Sequence, residues 1–345
     1  MTVFQGTLNL ETISPDLPES LYNALISWRE RKKVSLYTSG STGEPSLYDL
    51  PDKLIRWSAN ASKEATGLTE DEQVFVCLPT HKVGGLMLVL RSILHKWHIT
   101  IVEPSANPLK NIEVDHNFTV VSLVPYQLAT IMRDEVSIKK LLQFRTVLLG
   151  GAPLSNALEK KLKTILPVSN THFFHSYGMT ETASHVALRN LRTMVPNVFK
   201  LLPEVDVSLN KKGCLIFDFP TLDYRVETQD LGEIEGRTIR FLSRIGDVVN
   251  SGGVKLHLHD IGMKIDNILD DNQLSARYFV WKTEDIALGE KLVFVGLESD
   301  NQTKVEQLLK QHLPKYEVPK DFYWVSAFKR NASGKIDRIK TVSAL

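Results

Sequence analysis

A run rich in hydroxyl groups and glycine, residues 37–45, contains the residue types that could most directly bind phosphate. Its sequence is Tyr-Thr-Ser-Gly-Ser-Thr-Gly-Glu-Pro, and it follows the apolar run 34–37, which predicts a strand. Glycine lets backbone N–H groups turn toward a ligand at φ angles that other residues avoid, and hydroxyls add donors and acceptors. The run therefore predicts a polyphosphate site. The lysine of a Walker A loop is absent, and an ordinary solvated turn is the competing interpretation.

Two further segments follow predicted strands. Residues 150–153, Gly-Gly-Ala-Pro, come between the apolar run 147–149 and a helix-like segment, where open α/β sheets bind ligands, although a tight turn is the alternative. Residues 176–182, Ser-Tyr-Gly-Met-Thr-Glu-Thr, follow the next predicted strand. They offer an aromatic face for a purine, a hydroxyl for phosphate and a carboxylate for Mg²⁺. Alone, Glu181 could equally be an acid favoured at a helix start.

Two more polar residues complete the set. Asp230 lies where a β segment is predicted to turn. A carboxylate there could accept two hydrogen bonds from a ribose diol, or it could bond its own backbone in the turn. Lys335 lies in a polar stretch near the C-terminus, where most lysines serve only solubility. Each segment is ambiguous alone, so their order and spacing carry the prediction.

Composition limits the class of protein. The 345 residues, 43% of them apolar, leave room for two domains and a large core. A net charge of +1 argues against a protein that binds nucleic acid or a membrane surface through a broad electrostatic patch. Cys77 and Cys214 lie in apolar runs and are predicted to be buried free thiols. The N-terminus does not resemble a signal peptide, and no apolar run is long enough to span a membrane, so we expect a cytoplasmic protein.

The chain alternates short apolar runs with helix-like segments between about residues 34 and 177, which predicts a largely parallel sheet covered on both faces. The predicted buried strands are 74–78, 99–102, 118–124, 147–149 and 172–174. The predicted helices are 51–67, 85–96, 126–133 and 155–166, the last with Ser155 as its N-cap. Short β segments between 205 and 241 predict a small β subdomain, and the residues after 247 predict a compact α+β unit.

In this order the segments resemble the adenylate-forming superfamily of acyl-CoA synthetases, nonribosomal adenylation domains and luciferases, from about residue 34 to the end. The resemblance implies an α/β fold with a large N-terminal domain (1–245, β subdomain about 200–245) and a small mobile α+β domain (247–345). It implies a nucleotide site formed by Thr38, Ser39, Gly40, Ser41, Thr42, Gly43, Gly151, Ala152, Pro153, Ser176, Tyr177, Gly178, Met179, Asp230 and Arg244. It implies catalytic roles for Thr180, Glu181 and Lys335, with Glu181 also the metal ligand. It implies a hinge at Gly246 and a coenzyme A channel beside Asn250, Ser251, Gly252, Gly253 and Lys255.

Two stretches are most similar to the o-succinylbenzoate–CoA ligases of menaquinone synthesis. They are residues 176–185 and residues 79–85, the latter followed by Arg91. This acid carries two carboxylates, of which one is activated, so the other needs a cation in the acyl pocket. His81 and Arg91 are the candidate acyl-site residues. The alternative is that Arg91 lies on the solvated face of its helix.

The resemblance implies two half-reactions that use ATP, Mg²⁺ and coenzyme A as a substrate. The acid first attacks the α-phosphate of ATP to give an acyl-adenylate and pyrophosphate, and Lys335 stabilises the developing charge. The C-terminal domain then swings about Gly246, and the coenzyme A thiolate displaces AMP. The expected partners are therefore small molecules, and the sequence gives no indication of oligomeric state.

Some positions depart from the family pattern. Ser46 stands in place of a lysine, Gln229 of a glycine, Gly246 of Asp or Lys, and Lys329 of a proline. The stretch before the hydroxyl-rich loop is also short, which we interpret as a natural short variant. Two alternatives stay open: another acyl- or aryl-CoA ligase or carrier-protein-loading enzyme, and a non-enzymatic protein that binds a nucleotide or acyl ligand. A binding protein would have no need of Lys335.

Overall fold

The computed structural model describes residues 2–38, 46–193, 195, 197–274, 276–330 and 336–345. Its strands are β1 (Thr2–Thr7), β2 (Lys33–Thr38), β3 (Ser46–Pro51), β4 (Gln73–Val76), β5 (His98–Val102), β6 (Val120–Leu123), β7 (Thr146–Leu149), β8 (His172–Met179), β9 (Ser184–Asn190), β10 (Val198–Leu201), β11 (Asp206–Leu209), β12 (Cys214–Phe219), β13 (Tyr224–Glu235), β14 (Thr238–Arg244), β15 (Val248–Ser251), β16 (Val254–His257), β17 (Tyr278–Asp285), β18 (Gly289–Leu297) and β19 (Asp321–Val325). Its helices are α1 (Glu19–Arg31), α2 (Asp52–Thr66), α3 (Val83–His95), α4 (Pro125–Ile131), α5 (Glu135–Leu141), α6 (Asn156–Ile165), α7 (Leu258–Asp271), α8 (Gln302–His312) and α9 (Arg338–Val342).

Twelve of the described strands form one sheet, in the order β1-β5-β4-β6-β7-β8-β9-β10-β14-β13-β12-β11. From β5 through β4, β6 and β7 to β8 the neighbours are parallel. The strands beyond β8 pair antiparallel, so the β segments between 205 and 241 continue the same sheet. The predicted α/β fold class is confirmed.

Both faces of the parallel strands are buried, as their continuous apolar sequences predict. Along β4 successive side chains alternate between two cores: Val74 and Val76 pack in the cluster that contains the apolar faces of α2 and α3. Phe75 and Cys77 pack on the other side, against residues of α4, α5 and α6. Ser155 caps α6 as predicted, since its Oγ accepts a hydrogen bond from the Leu158 N–H at 3.2 Å.

Two elements differ from the alternating pattern. The predicted strand at 34–37 is present as β2, but β2 pairs antiparallel with β3 in a separate two-stranded sheet. The loop between them, residues 39–45, is too short for the crossover that a parallel neighbour requires. The prediction that residues 176–182 follow a strand is wrong for 176–179, because β8 extends to Met179 through pairing with β9.

The C-terminal part forms a second sheet in the order β16-β15-β18-β17, with β19 parallel to β18. Helices α7 and α8 cover it through Ile265, Val305 and Leu309, which pack with Phe294 of β18. The predicted α+β character of this part is confirmed. Cys77 and Cys214 are buried free thiols, as predicted. Among the described helices, none is both long and apolar enough to cross a membrane.

Candidate active site

The carboxyl ends of the parallel strands β7 and β8 bring two of the predicted segments together. Ser176 in β8 donates a hydrogen bond from Oγ to the Leu149 carbonyl at 3.0 Å. The backbones lie so close that a Cβ on Gly150 would be 2.5 Å from that hydroxyl. Gly151 follows with φ at +82°, which exposes Ala152 and Pro153. The predicted adenine-contacting segment thus lies beside the motif carried by β8.

Asp230 lies in the middle of β13 rather than at a turn, so the interpretation as a turn aspartate is wrong. Its carboxylate is only 4% exposed and accepts two hydrogen bonds. Tyr177 donates from Oη to Oδ2 at 2.7 Å, and Arg244 donates from Nε to Oδ1 at 3.0 Å. Burial, and then the Asp230 carboxylate, raises the pKa of Tyr177 well above its usual value, so the phenol stays a donor. An aromatic face and a fixed carboxylate therefore stand together, as a nucleoside requires.

Thr180 and Glu181 follow directly, in the 3₁₀ turn Thr180–Thr182. The Glu181 side chain is partly exposed and makes no hydrogen bond or ion pair with the described part of the chain. The described residues also contain no cluster of three metal-ligating side chains. A divalent ion here would thus rely on Glu181 and on oxygens from a ligand or water, an arrangement that suits Mg²⁺.

Arg91 is buried in α3, with 3% of its surface exposed, so the alternative of a solvated helix face is wrong. Its Nη2 donates to Ser58 Oγ at 3.0 Å, its Nε has no partner, and no carboxylate pairs with it within the described ranges. Burial lowers the pKa of Arg91 to about 9. Nearby His185 bonds Ser62 Oγ at 2.9 Å, and burial together with Arg91 lowers its pKa well below the usual value. An unpaired buried cation is costly, so an anion bound at this position would be stabilised.

His81 is not brought to Arg91 by the structure. It is exposed in the turn that precedes α3. Arg91 lies eight residues beyond the start of that helix at Val83, a rise of about 12 Å along the axis. The two candidate acyl-site residues therefore lie at different depths, with only Arg91 inside the protein.

Residues 250–255 form a β-hairpin between β15 and β16. Gly252 and Gly253 occupy its turn with φ at +57° and +84°, the combination of a type I′ turn. Gly246 lies in the 3₁₀ turn Ile245–Asp247 with an ordinary φ, and a Cβ there would meet nothing within 4 Å. This conformation does not itself require glycine at 246.

Several predicted residues lie outside the described ranges. Thr38 is described only as the last residue of β2. The predicted site residues that lie wholly outside the described ranges are Ser39, Gly40, Ser41, Thr42, Gly43 and Lys335.

His175 was missed by sequence reasoning, because a histidine inside an apolar strand gives no signal of function. It lies in β8 beside Arg189 of β9, which forms a buried ion pair with Glu159 at 2.7 Å. Its Nε2 is 3.2 Å from the Ala152 carbonyl. Burial, and then Arg189, lowers the pKa of His175 to about 4, so the neutral ring donates to the Ala152 carbonyl.

This pKa predicts that stability depends on pH. Because His175 has a pKa of about 4 when folded and about 6.5 when unfolded, the unfolded chain binds more protons between those values. The free energy of unfolding should therefore rise from pH 4 to 6.5, with roughly 3 kcal/mol from this residue. In urea unfolding across this range, His175→Gln should show a shallower rise than the wild type. Equal slopes would contradict the assignment.

The chain matches known proteins over most of its length. A family profile described as AMP-binding enzyme matches residues 33–234. The 2-succinylbenzoate–CoA ligase of Staphylococcus aureus (strain MRSA252) is 26% identical over 374 residues, spanning 99% of this chain and 72% of that protein.

Solved structures extend the likeness. The acyl-CoA synthetase (AMP-forming)/AMP-acid ligase II-like protein of Dyadobacter fermentans DSM 18053 is 32% identical, with a TM-score of 0.60 and coverage of 94% of this chain and 93% of that one. The o-succinylbenzoate coenzyme A synthetase of Bacillus subtilis, solved with ATP and magnesium ion, is 21% identical, with a TM-score of 0.72 over 89% of this chain and 69% of that one. At that identity the second likeness concerns the fold.

Proposed function

The chain belongs to the family of AMP-binding enzymes, and we propose that it is an ATP-dependent acid–CoA ligase that works through an acyl-adenylate, with 2-succinylbenzoate as its acid. The convergence of Tyr177, Asp230 and Glu181 at the carboxyl end of β8 carries the proposal. Its curated relatives are named for the same ligation.

ATP fits the wall formed by these residues. The adenine ring would lie between Tyr177 and the exposed segment Gly151, Ala152 and Pro153, and the ribose hydroxyls would bond Asp230. Arg244, about half exposed beside Asp230, would contact the same ribose. Residues 38–43 would contact the phosphates.

Magnesium fits the donor set on this wall. A single free carboxylate, Glu181, matches the way Mg²⁺ binds through one or two carboxylates and substrate phosphates. When bound, the ion neutralises charge on the phosphates. Thr180, one residue earlier, would donate its hydroxyl to the α-phosphate that the acid attacks. Thr180 and Glu181 would thus orient the α-phosphate and the metal ion from one side of the reacting phosphorus.

The second carboxylate of the acid supplies the anion that Arg91 lacks. Arg91 is buried and unpaired by any carboxylate in the described structure, and its Nε is free to donate. A charge-assisted hydrogen bond to a carboxylate would satisfy both the charge and this donor. A monocarboxylic acid would leave the cation uncompensated, which favours a dicarboxylate.

The two half-reactions require two domains, for which we propose residues 1–245 and 247–345. Lys335 would reach the reacting phosphate in the first half-reaction. Rotation about Gly246 would then replace it with the hairpin that carries Asn250, Ser251, Gly252, Gly253 and Lys255, beside which the pantetheine would enter. Glycine has no conformational role at 246 in the present arrangement, so its freedom would serve the rotation.

A panel of carboxylic acids, assayed by pyrophosphate release with and without coenzyme A, tests this proposal. We expect pyrophosphate release with 2-succinylbenzoate, and formation of the coenzyme A thioester with departure of AMP only when coenzyme A is added. A preference for another acid would assign a different acyl- or aryl-CoA ligase, and indifference to coenzyme A would favour a carrier-protein-loading enzyme. ATP binding without release for every acid would identify a binding protein instead.

A further inference from the structure

The turn that carries Thr180 and Glu181 is held in a conformation that its sequence does not favour. Immediately after it, Ala183 and Ser184 have φ angles of +49° and +80°. Such angles cost a residue other than glycine about 1–3 kcal/mol each and persist only where the surroundings impose them. The backbone that positions the proposed metal ligand is therefore strained and must be held by its neighbours.

Part of the restraint comes from inside the turn. Thr182 is fully buried, and its Oγ1 accepts a hydrogen bond from the Met179 N–H at 3.0 Å. The same hydroxyl lies 2.7 Å from the Ser184 carbonyl, to which it can donate. The start of β9, directly after the turn, also lies close against β8, since a Cβ on Gly178 would be 1.9 Å from the Ser184 carbonyl oxygen.

The remaining restraint comes from hydroxyls on two other elements. Tyr224 of β13 donates from Oη to the Glu181 carbonyl at 3.0 Å. Ser58 of α2 donates from Oγ to the Ala183 carbonyl at 2.9 Å. The carbonyls on either side of Thr182 are thus fixed by side chains far away in sequence.

Each of these two hydroxyls is itself held. Tyr48 lies in β3, the strand that follows residues 39–45, and its Oη shares a hydrogen bond with Tyr224 Oη in which either hydroxyl can donate. On the other side, Arg91 donates to Ser58 at 3.0 Å.

We propose that Tyr224 is a positioning residue for adenylation. Its hydroxyl, together with that of Ser58, fixes the main chain of Glu181 so that the carboxylate meets Mg²⁺ held on the phosphates of ATP. Through its hydrogen bond with Tyr48, the Tyr224 hydroxyl also connects β3 to the turn that carries Glu181. This inference rests on the proposed function, because it needs ATP and Mg²⁺ at this site.

The test compares ATP affinity with Mg²⁺ and with EDTA, measured by calorimetry. In Tyr224→Phe the gain in affinity that Mg²⁺ provides should fall roughly tenfold, the effect of one lost hydrogen bond, while affinity in EDTA stays unchanged. Tyr278→Phe is the matched control, since it removes a hydroxyl that donates to the Gly262 carbonyl at 2.9 Å in the C-terminal part. That variant should keep the full gain.

Ser58→Ala provides a second variant and should reduce the same gain. An undiminished gain in Tyr224→Phe would overturn the inference, as would an equal loss in Tyr278→Phe, which would indicate a general effect of stability. The proposed function is judged separately, by pyrophosphate release from the wild type. If no acid supports release, both proposals fall. If release occurs and Tyr224→Phe behaves as the wild type, only the positioning role is refuted.

Discussion

Replacing Lys335 with alanine is expected to slow acyl-adenylate formation at least about 10²-fold, the usual effect of removing one preorganised charge stabiliser. Thioester formation from supplied acyl-adenylate should be largely retained, because Lys335 would have left the site by then. The two half-reactions can be measured separately, by pyrophosphate release and by thioester formation from synthetic adenylate.

Lys340→Ala is the matched control for this prediction. Lys340 is a strongly exposed lysine of α9, with a side chain 74% exposed, and its one ion pair with the described residues is a long contact of 3.5 Å to Asp337. Its removal should leave both half-reactions unchanged. Equal losses of adenylation and thioester formation in Lys335→Ala would remove the assignment of Lys335 to the first step.

Replacing Arg91 with methionine should weaken binding of the dicarboxylic acid without lowering the free energy of unfolding. Affinity for the dicarboxylic acid should fall about 10- to 100-fold, the range for one charge-assisted hydrogen bond, with little change for ATP. The free energy of unfolding should stay the same or rise, because a buried cation with no carboxylate partner in the described ranges is replaced by an apolar side chain. Binding titrations with the dicarboxylic acid measure the change in affinity, and urea unfolding measures the change in stability.

Arg189→Met supplies the contrast, because both arginines are buried but only Arg189 has a buried carboxylate partner. Its removal leaves the buried Glu159 with only the partly exposed Lys163, at 3.3 Å. The free energy of unfolding should therefore fall by roughly 3–5 kcal/mol, while affinity for the dicarboxylic acid stays unchanged. Unaltered acid affinity in Arg91→Met would reject the acyl-site role, whatever its stability.

The sequence correctly predicted helices and strands that can be recognised from the apolar pattern of consecutive residues. Helix α2 was expected at 51–67 and runs over Asp52–Thr66, and the buried strand expected at 147–149 is Thr146–Leu149. The apolar pattern gave the wrong prediction where pairing between strands determines how far a strand extends. Strand β8 includes residues 176–179, which were expected to follow the strand, because β9 pairs with them, and Asp230 lies inside a strand because β14 pairs there.

Site residues were predictable where short motifs carry them and not where contacts join distant segments. Tyr177 and Asp230 were both singled out, but the hydrogen bond between them joins residues 53 positions apart. Tyr224 and Ser58 had no local signal, since a hydroxyl in a strand or helix has many ordinary uses. For Arg91 the sequence left burial and exposure open, and packing between α2 and α3 decided the question.

The pairing of β13 with β14 places Asp230, the proposed ribose ligand, opposite a residue close to the proposed pivot at Gly246. Asp230 and Arg244 are partners across these strands, and Arg244 immediately precedes the turn Ile245–Asp247. A nucleotide that engages the carboxylate must share it with Arg244 or displace it. With the ribose contact and the pivot as proposed, this one ion pair would link occupancy of the nucleotide site to the freedom of the connection at 245–247, and the departure of AMP would restore it.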